Sequence, residues 1–243
     1  MKSLLFGTAG IPLSTEKRST LTGIETVKKL GLGSMELEFV RSINITKEKA
    51  PDVKKTAEQQ DITLTCHGQY FVNLNAAKKE VLQASIDRIL AASRIASQCG
   101  CWSICYHMAY YSGTAHQQVH ETVKKHLKNI ITLLKDEGHT IWLRPETGGK
   151  IGQYADSYDL IMLSTELEQV LPCFDFAHQY SRTLGQWNTT EEFRKLLEAI
   201  EKHLGKNGLH NMHIHMEGIA FTTAGEKNHL NLDECNFRYK DLL

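Results

Sequence analysis

Histidine and carboxylate residues recur in this sequence at the ends of short, β-prone apolar runs. The runs close in Thr65-Cys66-His67-Gly68, Cys105-Tyr106-His107, Arg144-Pro145-Glu146-Thr147 and Asp175-Phe176-Ala177-His178. The last contains His213-Ile214-His215, and Glu226-Lys227-Asn228-His229 follows in the loop behind it. Parallel strands in register would bring these ends together on one face. Imidazole and carboxylate in this mixture suit zinc, and also manganese or iron. The donors outnumber the three or four protein ligands that one ion takes, so two or three ions are expected, with Glu146 or Asp175 as a bridging carboxylate. Ions roughly 3.5–4 Å apart can activate water and hold both oxygens of a phosphodiester during in-line displacement. His213 and His215 stand two apart on one strand and so share a face; both could be ligands, or one could support the other.

The elements that must position these groups follow from periodicity. The β-prone runs are Leu4–Thr8, Met35–Val40, Ile62–His67, Trp102–His107, Thr140–Leu143, Val170–Phe174 and Met212–His215, spaced like strand-helix units. Between them, Val119, Val123, Leu127, Ile130 and Leu134 form one helical stripe, and Phe193, Leu196, Leu197, Ile200 and Leu204 another. Thr189-Thr190-Glu191-Glu192 ahead of the second stripe reads as a capped start, and Gly138 and Gly205 read as helix stops. His116 and His120, four apart among Gln, Lys and Glu, read as a solvated helix face. No linker or charge run divides the chain, so residues 1–243 read as a single domain. Strict alternation predicts an α/β fold with a parallel sheet, either doubly wound or a (β/α) barrel. No GxGxxG or GxxxxGK[ST] follows any strand, which argues against a nucleotide-binding open sheet. The seventh strand is expected to lead into a helix at the end of the sequence, and a closed eight-stranded barrel would need roughly 30 more residues.

Composition narrows the partners. The 243 residues carry 28 Lys+Arg and 28 Asp+Glu, for a formal net charge of zero. This argues against a partner held mainly by a basic field, whereas metal ions would add positive charge the count does not include. Mean hydropathy is −0.33, and no apolar run approaches the ~20 residues of a membrane helix. Met1–Phe6 begins like a signal segment but is stopped by Gly7 and Gly10-Ile11-Pro12, so a soluble, cytoplasmic protein is expected. The six cysteines then read as free thiols, and Cys99-Gly100-Cys101 with Cys105 lacks the spacing of a zinc site.

Taken together, the motifs resemble the endonuclease IV family of metal-dependent apurinic/apyrimidinic endonucleases, particularly its short archaeal-type members. The resemblance begins at Gly7-Thr8-Ala9-Gly10-Ile11-Pro12-Leu13 and rests most on His67-Gly68-Gln69-Tyr70-Phe71-Val72-Asn73-Leu74, His107-Met108-Ala109-Tyr110-Tyr111, Arg144-Pro145-Glu146-Thr147-Gly148-Gly149-Lys150 and Leu171-Pro172-Cys173-Phe174-Asp175-Phe176-Ala177-His178. The stretch from His213 to His229 completes it.

The resemblance implies a TIM barrel holding three metal ions, usually zinc. His67, His107 and Glu146 would hold the first, Glu146 bridging to a second held also by Asp175 and His213. His178 and His229 would hold the third. Glu146 and Asp175 stand as the catalytic carboxylates. The implied partner is double-stranded DNA with an abasic site, cut on the 5′ side to leave a 3′-hydroxyl and a 5′-deoxyribose phosphate, with trimming of blocked 3′ ends. Tyr70 and Phe71 would enter the stack as the damaged nucleotide flips out, with Arg41 helping from the second loop.

Three positions depart from the family pattern. Lys227 stands where the family has an Asp ligand, with Glu226 beside it as a substitute. His213-Ile214-His215-Met216-Glu217 leaves open which His is the ligand. The eighth-strand Glu of the family has no counterpart, so a non-equivalent side chain, water or a partner chain would complete the second ion. An unclosed barrel exposes the edges of its first and seventh strands, which a dimer would cover; a monomer is the alternative. A sugar isomerase or epimerase on the same kind of barrel, or a non-catalytic protein that binds damaged DNA, would use related residues.

Overall fold

The computed structural model describes residues 4–243; Met1–Ser3 of the signal-like segment lie outside the described residues. In chain order the elements are β1 (Gly7–Ala9), α1 (Thr20–Lys29), β2 (Ser34–Glu38), α2 (Ala50–Gln60), β3 (Thr63–His67), α3 (Lys79–Gln98), β4 (Ser103–Tyr106), β5 (Ala109–Tyr110), α4 (His116–Asp136), β6 (Trp142–Pro145), β7 (Gln153–Tyr154), α5 (Ser157–Glu166), β8 (Cys173–Asp175), α6 (Phe176–Arg182), α7 (Thr190–His210), β9 (His213–His215), β10 (Gly218–Thr222) and β11 (Gly225–Leu230). The order is the strand-helix alternation expected of an α/β chain with a parallel sheet. Contacts divide it into two compact units.

The first unit comprises the described residues up to Val72, together with Gln83–Tyr106 and Asn129–Leu143. β1 to β4 lie side by side in chain order, all parallel, with Thr8 opposite Met35, Met35 opposite Leu64 and Cys66 opposite Ile104. β4 is buried along its whole length, as befits a parallel strand covered on both faces. Helices supply the cover: Ile24 and Val27 of α1, Val53 and Ala57 of α2, Ile89 and Ala92 of α3, and Ile130 and Leu134 of α4 are all buried. Ser19 caps α1 in a reciprocal box with Thr22, satisfying backbone donors that would otherwise be unpaired. Cys99, Cys101 and Cys105 are buried thiols outside any disulfide, Cys101 donating to the Thr65 carbonyl.

The second unit comprises Asn73–Leu82, His107–Lys128 and Arg144–Leu243. β8 and β9 pair in parallel, and a bridge between Glu146 and Cys173 continues the pairing to the end of β6. Phe174, Phe176, Phe193, Leu196, Ile200, Ile219 and Phe237 form its core, with Phe176 edge-on to Phe193 at 5.6 Å. Thr189 caps α7 as expected. At Gly205 the backbone leaves helical geometry, with φ 65°, so the first helical stretch stops there as expected and a second runs on to His210.

The expected helix after the seventh parallel strand is absent among the described residues. β9 is followed instead by the antiparallel hairpin β10–β11 and two short 3₁₀ turns, Leu232–Glu234 and Tyr239–Asp241. The reason is local. Ile219 and Phe221 alternate with Ala220 and Thr222 at the period of a strand, and Gly225 takes φ 90° at the turn. The hairpin is tied down by Glu226 N–H donating to the Gly149 carbonyl at 2.9 Å. No helix is long and apolar enough to cross a membrane among the described residues.

Candidate metal centre

The second unit gathers most of the chemically capable side chains. Glu146 lies one residue beyond β6, 2% exposed. Its Oε1 is 3.0 Å from His215 Nδ1 and its Oε2 is 3.6 Å from His107 Nε2. His213 and His215 sit on β9 opposite Cys173 and Asp175, their rings 5.0 Å apart.

Asp175 closes β8 and caps α6, its Oδ1 accepting from the His178 backbone N–H at 2.6 Å. One turn into that helix, the His178 ring is held from the Nδ1 side. Nδ1 lies 3.0 Å from the Thr147 carbonyl oxygen and 3.1 Å from Asp175 Oδ2. Both neighbours are acceptors, so Nδ1 donates to them and Nε2 faces the other way. That nitrogen points at a second cluster. His229 Nε2 is 3.3 Å away, Glu226 Oε2 3.7 Å and Glu217 Oε1 3.8 Å. His229 Nε2 is in turn 3.7 Å from Glu226 and 3.9 Å from Glu217. Gly149 makes room for this: a Cβ there would fall 2.7 Å from both Glu226 Oε2 and His178 Cδ2.

The electrostatics are those of a site short of positive charge. Burial first, then the hydrogen-bonded Asp175 carboxyl, push the Glu217 carboxyl well above the usual carboxylate range, with Glu146 adding to the effect and His215 opposing it. A divalent cation would reverse that balance. The spacing fits one as well. Zinc bonds of about 2.0–2.2 Å in a tetrahedron set neighbouring donors about 3.3–3.6 Å apart, close to the separations around His178 Nε2.

Of the residues singled out in the sequence, His107, Glu146, Asp175, His178, His215, Glu226 and His229 come together in this unit, with His213 beside His215. The others belong to the first unit. His67 ends β3, buried, with its ring edge-on to Tyr70 at 5.3 Å. Tyr70 and Phe71 follow on the next loop, 48% and 65% exposed, and Arg41 is exposed on the loop after β2. Glu217 was not among the candidate ligands, although the alternation His213, His215, Glu217 puts it in phase with the two histidines. His120 corrects the solvated-face reading: it is 6% exposed, with Nδ1 2.8 Å from Tyr154 Oη, because the short β5–β7 pair lays Tyr154 over the start of α4. His116 is exposed and pairs with Asp159 at 2.9 Å.

Residues 24–243 match a family model described as the xylose isomerase-like TIM barrel. An uncharacterized protein of Methanocaldococcus jannaschii is 37% identical over 240 residues, covering 99% of this chain and 86% of its own. Among solved structures, endonuclease IV from Thermus thermophilus superposes with a TM-score of 0.75 at 17% identity, covering 98% of this chain and 86% of that one. A D-tagatose 3-epimerase-like protein superposes with a TM-score of 0.72 at 13% identity, covering 98% and 84%.

Proposed function

The chain belongs to the xylose isomerase-like TIM barrel family, and from that premise we propose that it is a metal-dependent endonuclease that cuts DNA on the 5′ side of an abasic site. The observation that carries this reading is the surplus of donors in the second unit. Four histidines (His107, His178, His215 and His229) and two further carboxylates (Glu217 and Glu226) lie with Glu146 and Asp175, more donors than a single ion takes, and they fall into two groups that share His178. Neighbouring ions suit a phosphodiester, whose attacking and leaving oxygens both need charge neutralised. Bound zinc, manganese or iron would supply Lewis-acid polarisation and water of lowered pKa.

The chain's own groups do the holding. Thr147 and Asp175 orient His178, and Glu146 sits between the His107 and His215 nitrogens. Tyr70 and Phe71 offer exposed rings for stacking at a step that already lacks a base, where unstacking costs least. Arg41 offers a phosphate contact.

The test is incision of a duplex with one stable abasic analogue by zinc-loaded protein, before and after chelation, with His107→Ala alongside. Chelator-sensitive cutting 5′ to the lesion, leaving a 3′-hydroxyl and lost in His107→Ala, is expected. Intact DNA together with interconversion of ketohexoses would replace this reading by a sugar epimerase. Retention of abasic DNA without cutting would replace it by a non-catalytic binder of damaged DNA.

A further inference from the structure

The geometry points to Glu217 as a metal ligand, the carboxylate that closes the His178–His229–Glu226 cluster. This rests on the reading of the site as a metal centre and adds to it a donor from outside the motif set.

Three observations place Glu217 there. The first is backbone position. Glu217 follows β9 at the phase of His213 and His215, and Gly218 behind it is pressed against the hairpin, a Cβ there falling 2.1 Å from the Asn231 carbonyl oxygen. The backbone at this point therefore has little room to move away. The second is the state of its Oε1. This atom is buried with no hydrogen-bond partner among the described residues, although it faces His178 Nε2 at 3.8 Å and His229 Nε2 at 3.9 Å. A buried carboxylate oxygen without a donor is costly, and a cation removes that cost. The third is the character of its neighbours. His178 Nδ1 is engaged by the Thr147 carbonyl and the Asp175 carboxylate, so Nε2 is the ring atom left to face the Glu217 oxygen. Glu226 adds a carboxylate oxygen at 3.7 Å from the same nitrogen. Ligand atoms converge here from α6, the end of β9 and β11, and two nitrogens with two carboxylates suit a first-row divalent ion such as zinc.

The experiment is metal titration of the metal-free protein, followed by cobalt(II) absorption in the visible range and by zinc competition. Wild type, Glu217→Gln, Glu217→Asp and His229→Ala are compared. Glu217→Gln is expected to weaken one bound equivalent by at least about 10- to 100-fold and to change the cobalt bands, as His229→Ala does. Glu217→Asp keeps the charge and is expected to retain that equivalent with altered affinity, which separates ligand loss from a folding defect. Wild-type affinity and bands in Glu217→Gln would overturn the assignment of Glu217 while leaving the metal centre standing. Failure of the wild type to bind cobalt or zinc would overturn both.

Discussion

His178 and His229 present their Nε2 atoms to each other at 3.3 Å, one from a buried helix and the other from a half-exposed hairpin strand. Thr147 fixes the first ring, whereas the second depends on the hairpin staying in place. A cation shared by the two rings would therefore join β11 to α6. Chelation is expected to lower the melting temperature and zinc to restore it, with about 2.7 kcal/mol gained at a hundredfold excess over Kd. Thermal melts across a zinc series read this directly, and a melting temperature that ignores both zinc and chelator would contradict it.

Tyr70 and Phe71 are among the most exposed aromatic side chains of the chain, in a fold that leaves most of its rings buried or half-buried. Replacing both with Ala is expected to weaken binding to abasic duplex by about 1–3 kcal/mol per stacked base while leaving binding to intact duplex nearly unchanged. Fluorescence anisotropy on the two duplexes separates the cases. Equal losses on both would reduce the rings to general contacts.

Gly68 lies against the ring of Tyr106, where an added Cβ would fall 1.7 Å from Cε1. The ring cannot retreat, because Tyr106 is fully buried and its hydroxyl donates to the Ile89 carbonyl at 3.1 Å. Gly68→Ala is expected to destabilise the protein by about 1–3 kcal/mol through overpacking. Urea unfolding measures it, and a change within the noise of the midpoint would show that the loop after β3 yields.

Burial pushes the Cys99 thiol up from 9.0 to about 12, and the thiols of Cys66 and Cys101 well above their ordinary value. A raised folded-state pKa means the folded protein holds protons the unfolded chain releases. The stability these groups contribute is full below the ordinary thiol value and falls as the pH rises from 9.0 toward about 12. Melting temperature against pH should decline over that window, and less steeply in Cys99→Ala. At pH 8 a thiol reagent should label half-buried Cys235 and spare these three until the protein unfolds.

Much of the fold is legible in the residues. Alternation of apolar periods marks the parallel strands and their helices, because a period of 2 against one of 3.6 decides which face is buried whatever the partner. Strand ends rich in His, Asp and Glu mark the donors, since a parallel sheet exposes its C-terminal ends on one side. The end of the chain departs from the expected helix because the hairpin's alternating segment is short and its hold comes from Gly149 and Lys150, which are remote in sequence. His120 departs from the expected solvated face for the same reason, its cover being Tyr154.

Residue types and spacing thus determine which groups are present and which can share a face. Which groups hold each nitrogen of His178, which carboxylates face His229, and that Glu217 stands with them come only from the fold. Those facts depend on separations of a few ångströms between residues far apart in the chain, and no local period encodes such a distance.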